Sequence, residues 1–404
     1  MRIRWWKPVA AVVVLGATAV ALLSLGAPRL DVDAPVLADR PLTASVRGIA
    51  AGSTVEVGVV ADDAIGQSWQ ASAPAVVDER GELTLPDGDL TDLVTSMAVI
   101  GSRERRFAWR APDETAAAPV TFSVLLAVDG RPAASRRFER ALHREAVTPL
   151  QLSLAEDGVV GELWTAGTGD PGPGVVVVGG SEGGLAGTEI APLLASRGIP
   201  TLGIALFGHP GLPETLREVP LEPVAAAVSA LAARPEVDGR RVWVLGVSRG
   251  SEAALLAALA WPELVHGVVA AVPNAVALCS LPDCDGAAWT LDGQPVPTTS
   301  QVATVEPTDE PDAVIEVERF DGPLLTICGG WDEVWPSCSF ADALAARRAA
   351  AGVDDADLAL AYPRAGHAVG TLVPLQPGST ALDDRDELAR RELWPQLLDL
   401  LTTS

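Results

Sequence analysis

Between about Leu30 and Arg144 the apolar positions alternate with polar ones over short runs. "STVEVGVVA" and "VTFSVLLAVDG" place their hydrophobic residues on every second position, the period of a half-buried strand. Turn-forming Gly, Pro and Asp separate the runs. The pattern predicts a small all-β, immunoglobulin-like sandwich over 30–146. "RFAWRAPDE" puts an aromatic pair in a strand-like context, and Trp69, Phe107 and Trp109 are assigned to the core of this region. His143 falls near its end and is assigned to the surface.

Beyond about Val147 the period changes. β-branched apolar runs alternate with Ala/Leu-rich helical stretches, the mark of an α/β domain with a largely parallel sheet, here 147–404. Strands are predicted at Val175–Val178, Thr201–Ala205, Val242–Leu245, Gly267–Val272, Leu324–Cys328 and Asp357–Tyr362. Helices are predicted near Thr188–Arg197, Glu222–Arg234, Ser251–Leu259, Ser339–Ala350 and Arg385–Leu401. The segment from Pro273 to Glu318 has little periodicity and many turn residues, and loops this long are commonly lids or binding loops.

The N-terminus follows neither pattern. Arg2, Arg4 and Lys7 precede a mostly apolar run from Pro8 to Pro28, about the length a helix needs to cross a bilayer. Residues 1–29 are therefore expected to be a signal anchor or a signal peptide, with the positive charge holding the N-terminus inside and the catalytic domain outside the cytoplasm. Pro28 disfavours a cut after Ala27. The four cysteines fit export: Cys279 and Cys284, and Cys328 and Cys338, are close enough for local disulfides, with free buried thiols as the other possibility.

Composition removes several classes of function. With a net charge of −24 and no basic stripe, the chain is not expected to bind nucleic acid. Its one lysine, Lys7, lies in the N-terminal tail, which argues against Schiff-base chemistry and a Walker-type phosphate loop. No histidine shares a ligand-like spacing with the cysteines, so no metal is expected. No cofactor and no protein partner are implied.

The chemistry concentrates at Gly246-Val247-Ser248-Arg249-Gly250, between a buried strand and a helix. Strand, Gly-x-Ser-x-Gly, helix describes a nucleophile elbow: the tight turn strains the serine backbone, and glycines avoid clashes with the neighbouring strand and helix. Ser248 needs a base. Of the four histidines, His143 and His209 precede it, and His266 stands before a strand in "ELVHGVVAAV", where packing or capping suits it. His367, in "YPRAGHAVG" directly after the last predicted strand, is at the position of the base. The acid belongs after the preceding strand, where "LLTICGGWDEVWPS" supplies Asp332, with Glu333 as runner-up. The oxyanion donors are expected to be the Arg249 N–H and one from the loop Gly179–Gly184, at Ser181 or Glu182.

Together with "VVVVGGSEGGL", "IALFGHPGLPETLREVPLEPV", "GAAWTLDGQPVP" and "YPRAGH", these segments resemble, in order, the acyl-CoA thioesterase / bile acid-CoA:amino acid N-acyltransferase family. The resemblance spans about residues 148–400, and the N-terminal region resembles that family's first domain more loosely. It implies an α/β-hydrolase fold and acyl transfer from a thioester to Ser248, with Asp332 and His367 completing a triad. Members that conjugate amino acids tend to use cysteine, so a serine points toward hydrolysis. The substrate is then a small-molecule acyl thioester. The alternative, given the export segment, is an extracytoplasmic esterase, lipase or acyltransferase acting on a non-CoA acyl donor.

Overall fold

The computed structural model describes residues 28–85, 88–99, 106–112, 114–167, 169–378 and 380–403. The expected membrane or export segment falls almost wholly outside them. Among the described residues no helix is long and apolar enough to cross a membrane.

The N-terminal region is antiparallel throughout its paired strands. Arg29–Asp33 pairs with Thr43–Arg47, and a six-stranded sheet is built around Ser68–Val77, Thr54–Asp62, Val120–Val128 and Arg131–Arg140. In Thr54–Asp62 the valines 55, 57 and 59 are buried and their neighbours are less so, as the alternation requires. Trp69, Phe107, Trp109 and Phe122 form the aromatic core, with Phe107 and Trp109 ring centres 4.9 Å apart. Phe107 and Trp109 differ from expectation in one respect: they lie in irregular chain, not in a strand. Their burial comes from tertiary packing alone.

The second region carries an eight-stranded sheet. We number its strands in chain order: β1 Thr148–Leu152, β2 Val160–Thr165, β3 Gly172–Val178, β4 Thr201–Ala205, β5 Val237–Val247, β6 Gly267–Ala271, β7 Leu324–Gly329 and β8 Leu358–Tyr362. The spatial order is β1-β2-β4-β3-β5-β6-β7-β8. β1–β2 and β2–β4 are antiparallel and all other pairs are parallel. This is the expected α/β-hydrolase architecture. β3, β5 and β6 are buried on both faces, which explains their continuous apolar runs. The helices that concern the site are α1 Ile190–Ala195, α2 Glu222–Ala232, α3 Arg249–Ala260, α4 Ser337–Ala351 and α5 Thr380–Thr403.

The two regions share one hydrophobic core, in which Leu42, Leu90 and Met97 join Trp243, Leu325, Leu393 and Trp394. Polar contacts lock the seam: Arg110 Nη1 stands 2.7 Å from Glu162 Oε2, and Trp394 Nε1 donates to Asp39 at 2.7 Å. His143 is half-buried there, its ring 5.1 Å from that of Trp164, rather than on the open surface.

The segment 273–318 divides in two. Ala275-Val276-Ala277-Leu278 is buried, as are Ala288 and Trp289, and Trp289–Leu291 pairs in parallel with Val219–Pro220. Most of 281–286 and 292–297 is exposed. The first part is thus core rather than lid, because its short apolar run packs beside α2 and α3. Both cysteine pairs are bridged as local disulfides, Cys279–Cys284 and Cys328–Cys338.

Candidate active site

Three elements deliver three side chains to the C-terminal edge of the parallel sheet. Ser248 sits between β5 and α3 with φ 57° and ψ −124°, a conformation few residues other than glycine adopt. The neighbouring glycines have a steric reason. A Cβ on Gly246 would stand 2.2 Å from the Gly250 carbonyl oxygen, and one on Gly250 would stand 2.3 Å from that of Gly179. The elbow is therefore closed to any larger residue at either position.

His367 opens a short 3₁₀ turn, His367–Thr371, just past β8. Its Nε2 lies 3.0 Å from Ser248 Oγ. Its Nδ1 lies 2.9 Å from both carboxylate oxygens of Asp332. Asp332 lies on the loop between β7 and α4, where its Oδ1 also accepts from the Val334 and Trp335 amides at 3.0 and 3.2 Å. Burial pushes the Asp332 carboxyl up. Hydrogen bonds from His367 and Ser337, the His367 charge and the Val334 N–H outweigh that, and the net displacement is below its ordinary value. The carboxylate form is favoured, as an orienting acid requires.

The structure brings Ser248, His367 and Asp332 together across 119 and 35 residues of chain. It keeps the other histidines apart from them. His266 packs its ring on the edge of Trp243, His209 is half-buried, and His143 Nε2 lies 3.0 Å from the Ala117 carbonyl oxygen. Glu333 is not a second acid for the imidazole. Its Oε2 accepts from the His367 backbone N–H at 3.3 Å.

Arg249 is the first residue of α3, so its N–H belongs to the first turn, whose N–H groups have no partner within the helix. The loop 179–184 lies against the serine: a Cβ on Gly180 would stand 3.1 Å from Ser248 Cβ and 2.7 Å from Glu182 Oε2. Within that loop the Gly180 N–H donates to Glu182 Oε1 at 3.2 Å, and the Gly184 N–H donates to the Phe207 carbonyl at 2.8 Å. Ser181 and Glu182 are exposed at the loop tip.

Several bracing residues carry no sequence signature. Asp386 Oδ1 accepts from the Gly366 N–H at 2.5 Å, and Arg390 Nη1 donates to the Ala368 carbonyl at 2.9 Å. Both come from α5 and hold the His367 turn from behind. Trp335 stands edge-on to the imidazole, ring centres 5.0 Å apart, and its Nε1 donates to the Val272 carbonyl at 3.2 Å. A cavity of about 480 Å³ opens beside the acid loop, lined by Ala303, Gly330, Asp332, Val334 and Trp335 among others.

The acid loop is closed at its base by Cys328–Cys338, which joins the end of β7 to the start of α4. Without the bridge the unfolded chain gains loop entropy and the loop loses a covalent tie. Replacing both cysteines with alanine is expected to lower stability by about 2–3 kcal/mol and to lower kcat more than it raises KM. Thermal melting and steady-state rates on the double variant check this. Unchanged kcat with a lowered melting point would confine the bridge to stability.

Residues 219–382 match the family profile described as BAAT / Acyl-CoA thioester hydrolase C terminal. The chain is 28% identical over 347 residues to acyl-coenzyme A thioesterase 1 of Rattus norvegicus, covering 81% of this chain and 82% of that protein. It is 27% identical over 348 residues to the mitochondrial acyl-coenzyme A thioesterase 2 of Mus musculus, covering 81% and 76%. Among solved structures, a puromycin-hydrolysing peptidase of Mycobacterium tuberculosis aligns with TM-score 0.44 at 17% identity, over 85% of this chain and 52% of that one.

Proposed function

We propose that this chain, a thioester or ester hydrolase similar to the acyl-CoA thioesterases and matched over residues 219–382 by the BAAT / Acyl-CoA thioester hydrolase C terminal profile, cleaves an acyl thioester through Ser248, His367 and Asp332. The observation that carries this is the continuous chain of contacts from Ser248 Oγ through the imidazole to the Asp332 carboxylate, at 3.0 and 2.9 Å.

His367 Nε2 takes the proton from Ser248 Oγ as the oxygen attacks the acyl carbonyl carbon. The imidazolium that forms is stabilised by Asp332. The carbonyl oxygen becomes an oxyanion, held by the Arg249 N–H and by an N–H at Ser181 or Glu182. Collapse of the tetrahedral adduct breaks the carbon–sulfur bond, and His367 returns the proton to the departing thiolate. Water, deprotonated by the same imidazole, then attacks the acyl-serine ester. Its collapse frees the carboxylic acid and restores Ser248.

A second reading changes the donor and keeps the chemistry. Two disulfides beside the site fit an oxidising compartment, where an oxygen ester rather than a CoA thioester is at hand. With the apolar N-terminal segment they support an anchored or exported enzyme whose catalytic domain lies outside the cytoplasm. The N-terminal sheets, assigned here to an immunoglobulin-like sandwich, would pack on that domain and supply no catalytic group.

The test is a panel of acyl-CoA thioesters of graded chain length beside simple acyl esters, assayed with residues 30–404. Release of free CoA with a chain-length optimum is the expected result. Ester cleavage with CoA thioesters ignored would overturn the thioesterase reading and leave the triad standing.

A further inference from the structure

Beneath Ser248 lies a charged pair that the triad does not use. Arg249 opens α3 and Glu252 stands one turn further on, their side chains 3% and 0% exposed. Arg249 Nε is 2.8 Å from Glu252 Oε1, a charge contact rather than an aligned hydrogen bond. The Glu252 carboxylate also accepts from Asn274 Nδ2 at 3.0 Å, the Leu278 N–H at 3.3 Å and Trp289 Nε1 at 3.0 Å. Arg249 Nη1 and Nη2 donate to the carbonyls of Cys279 and Leu278 at 3.0 and 2.8 Å. Burial pushes the Glu252 carboxyl up from its ordinary value, with Arg249, Trp289 and the Leu278 N–H pulling the other way.

Stability is a weak reason to keep such a pair. Moving two charges out of water costs several kcal/mol each, and apolar residues of the same volume are often at least as stabilising. Geometry is a better reason. Every contact from this pair runs from the first turn of α3 to the stretch 274–289. The backbone N–H of Arg249 is also the donor that follows the nucleophile. A side chain pinned at both ends of its guanidinium fixes the rotamer, and through it the orientation of that peptide unit. Small misplacements of an oxyanion donor are costly because the oxyanion exists only in the transition state.

We propose that Arg249 and Glu252 form a positioning pair for acyl transfer: together they aim the Arg249 N–H at the developing oxyanion and dock the 274–289 segment onto the nucleophile helix. This rests on Ser248 being the nucleophile. Both side chains are buried, 3% and 0% exposed. Both act through the Arg249 amide, so their effect belongs in kcat and in transition-state affinity, not in substrate binding.

Three variants test it. Glu252→Gln keeps the shape and one acceptor oxygen but removes the charge. Arg249→Lys keeps the charge but loses the fork that reaches two carbonyls. Trp289→Phe removes one hydrogen bond and leaves the pair intact. For each, kcat, KM, the melting temperature and the affinity for a trifluoromethyl ketone, whose adduct with the serine carries an oxyanion, are measured. Glu252→Gln and Arg249→Lys are expected to lower kcat by about 10–100-fold with KM within about threefold. Ketone affinity should fall by the same factor as kcat/KM. Trp289→Phe should give a smaller fall of the same kind. If Glu252→Gln does not fold, the other two carry the same readouts. Folded variants that keep kcat and ketone affinity, or that lose only KM and melting temperature, overturn the proposal. Failure of the nucleophile assignment looks different: a fluorophosphonate would then leave Ser248 of the wild type unlabelled.

Discussion

Replacing Ser248 with alanine is expected to abolish turnover of thioesters and esters alike, by on the order of 10⁴–10⁶-fold in kcat. The change removes one oxygen and nothing else of the elbow. The strained backbone is held by the Gly246 and Gly250 contacts and by the Ser248 N–H, which donates to the Ala271 carbonyl at 2.9 Å, not by the hydroxyl. Stability should therefore move by less than about 1 kcal/mol. Any residual rate measures what the oxyanion donors and substrate binding achieve without a nucleophile. Steady-state rates beside a thermal melt of the same preparation check both halves. A folded variant with normal turnover would remove Ser248 from the chemistry.

Asp332→Asn is expected to be nearly as severe, about 10⁴-fold in kcat, with little change in KM. The amide keeps the volume, and its oxygen can still accept from the Val334 and Trp335 N–H groups. What fails is the face toward His367. A carboxylate accepts from Nδ1–H and so leaves Nε2 as the acceptor for the serine proton. An amide NH₂ facing Nδ1 favours the opposite tautomer, in which Nε2 carries hydrogen and cannot act as base. The variant also removes a pH term. A carboxyl displaced below its ordinary value contributes stability that is present above the unfolded-state pKa and lost as pH falls through the folded value. Acid unfolding of Asp332→Asn should lack that contribution. Retained kcat would point to a different orienting group for His367.

Much of the candidate site was legible without coordinates because its signals are local. A buried strand, a glycine-flanked serine and an amphiphilic run differ in period over a dozen residues, and the elbow is the short turn between them. Asp332 and His367 each follow a parallel strand directly, and parallel strands all end on one edge of their sheet. Sequence position therefore translates into spatial position for these three residues. Glu333 shows the limit. It neighbours Asp332 and has the same chemistry, but the loop turns it toward the His367 amide instead of the imidazole.

The chain's own pattern determined the α/β region, six of its strands, the elbow and the order of its partners, because each depends on side-chain periodicity or on which strand a residue follows. Strands β1 and β2 escaped it: they are short and partly polar, β1 pairs only with β2, and β2 joins the rest of the sheet only through β4, some 40 residues on. The tertiary structure alone decided that 274–278 is core rather than lid, that α5 braces the histidine turn from behind, and that Arg249 and Glu252 meet the carbonyls and indole of a distant segment. Those contacts join stretches that share no local signal. A buried polar group finds its partners only once the whole core has closed around it, and no period along the chain records which partners those will be.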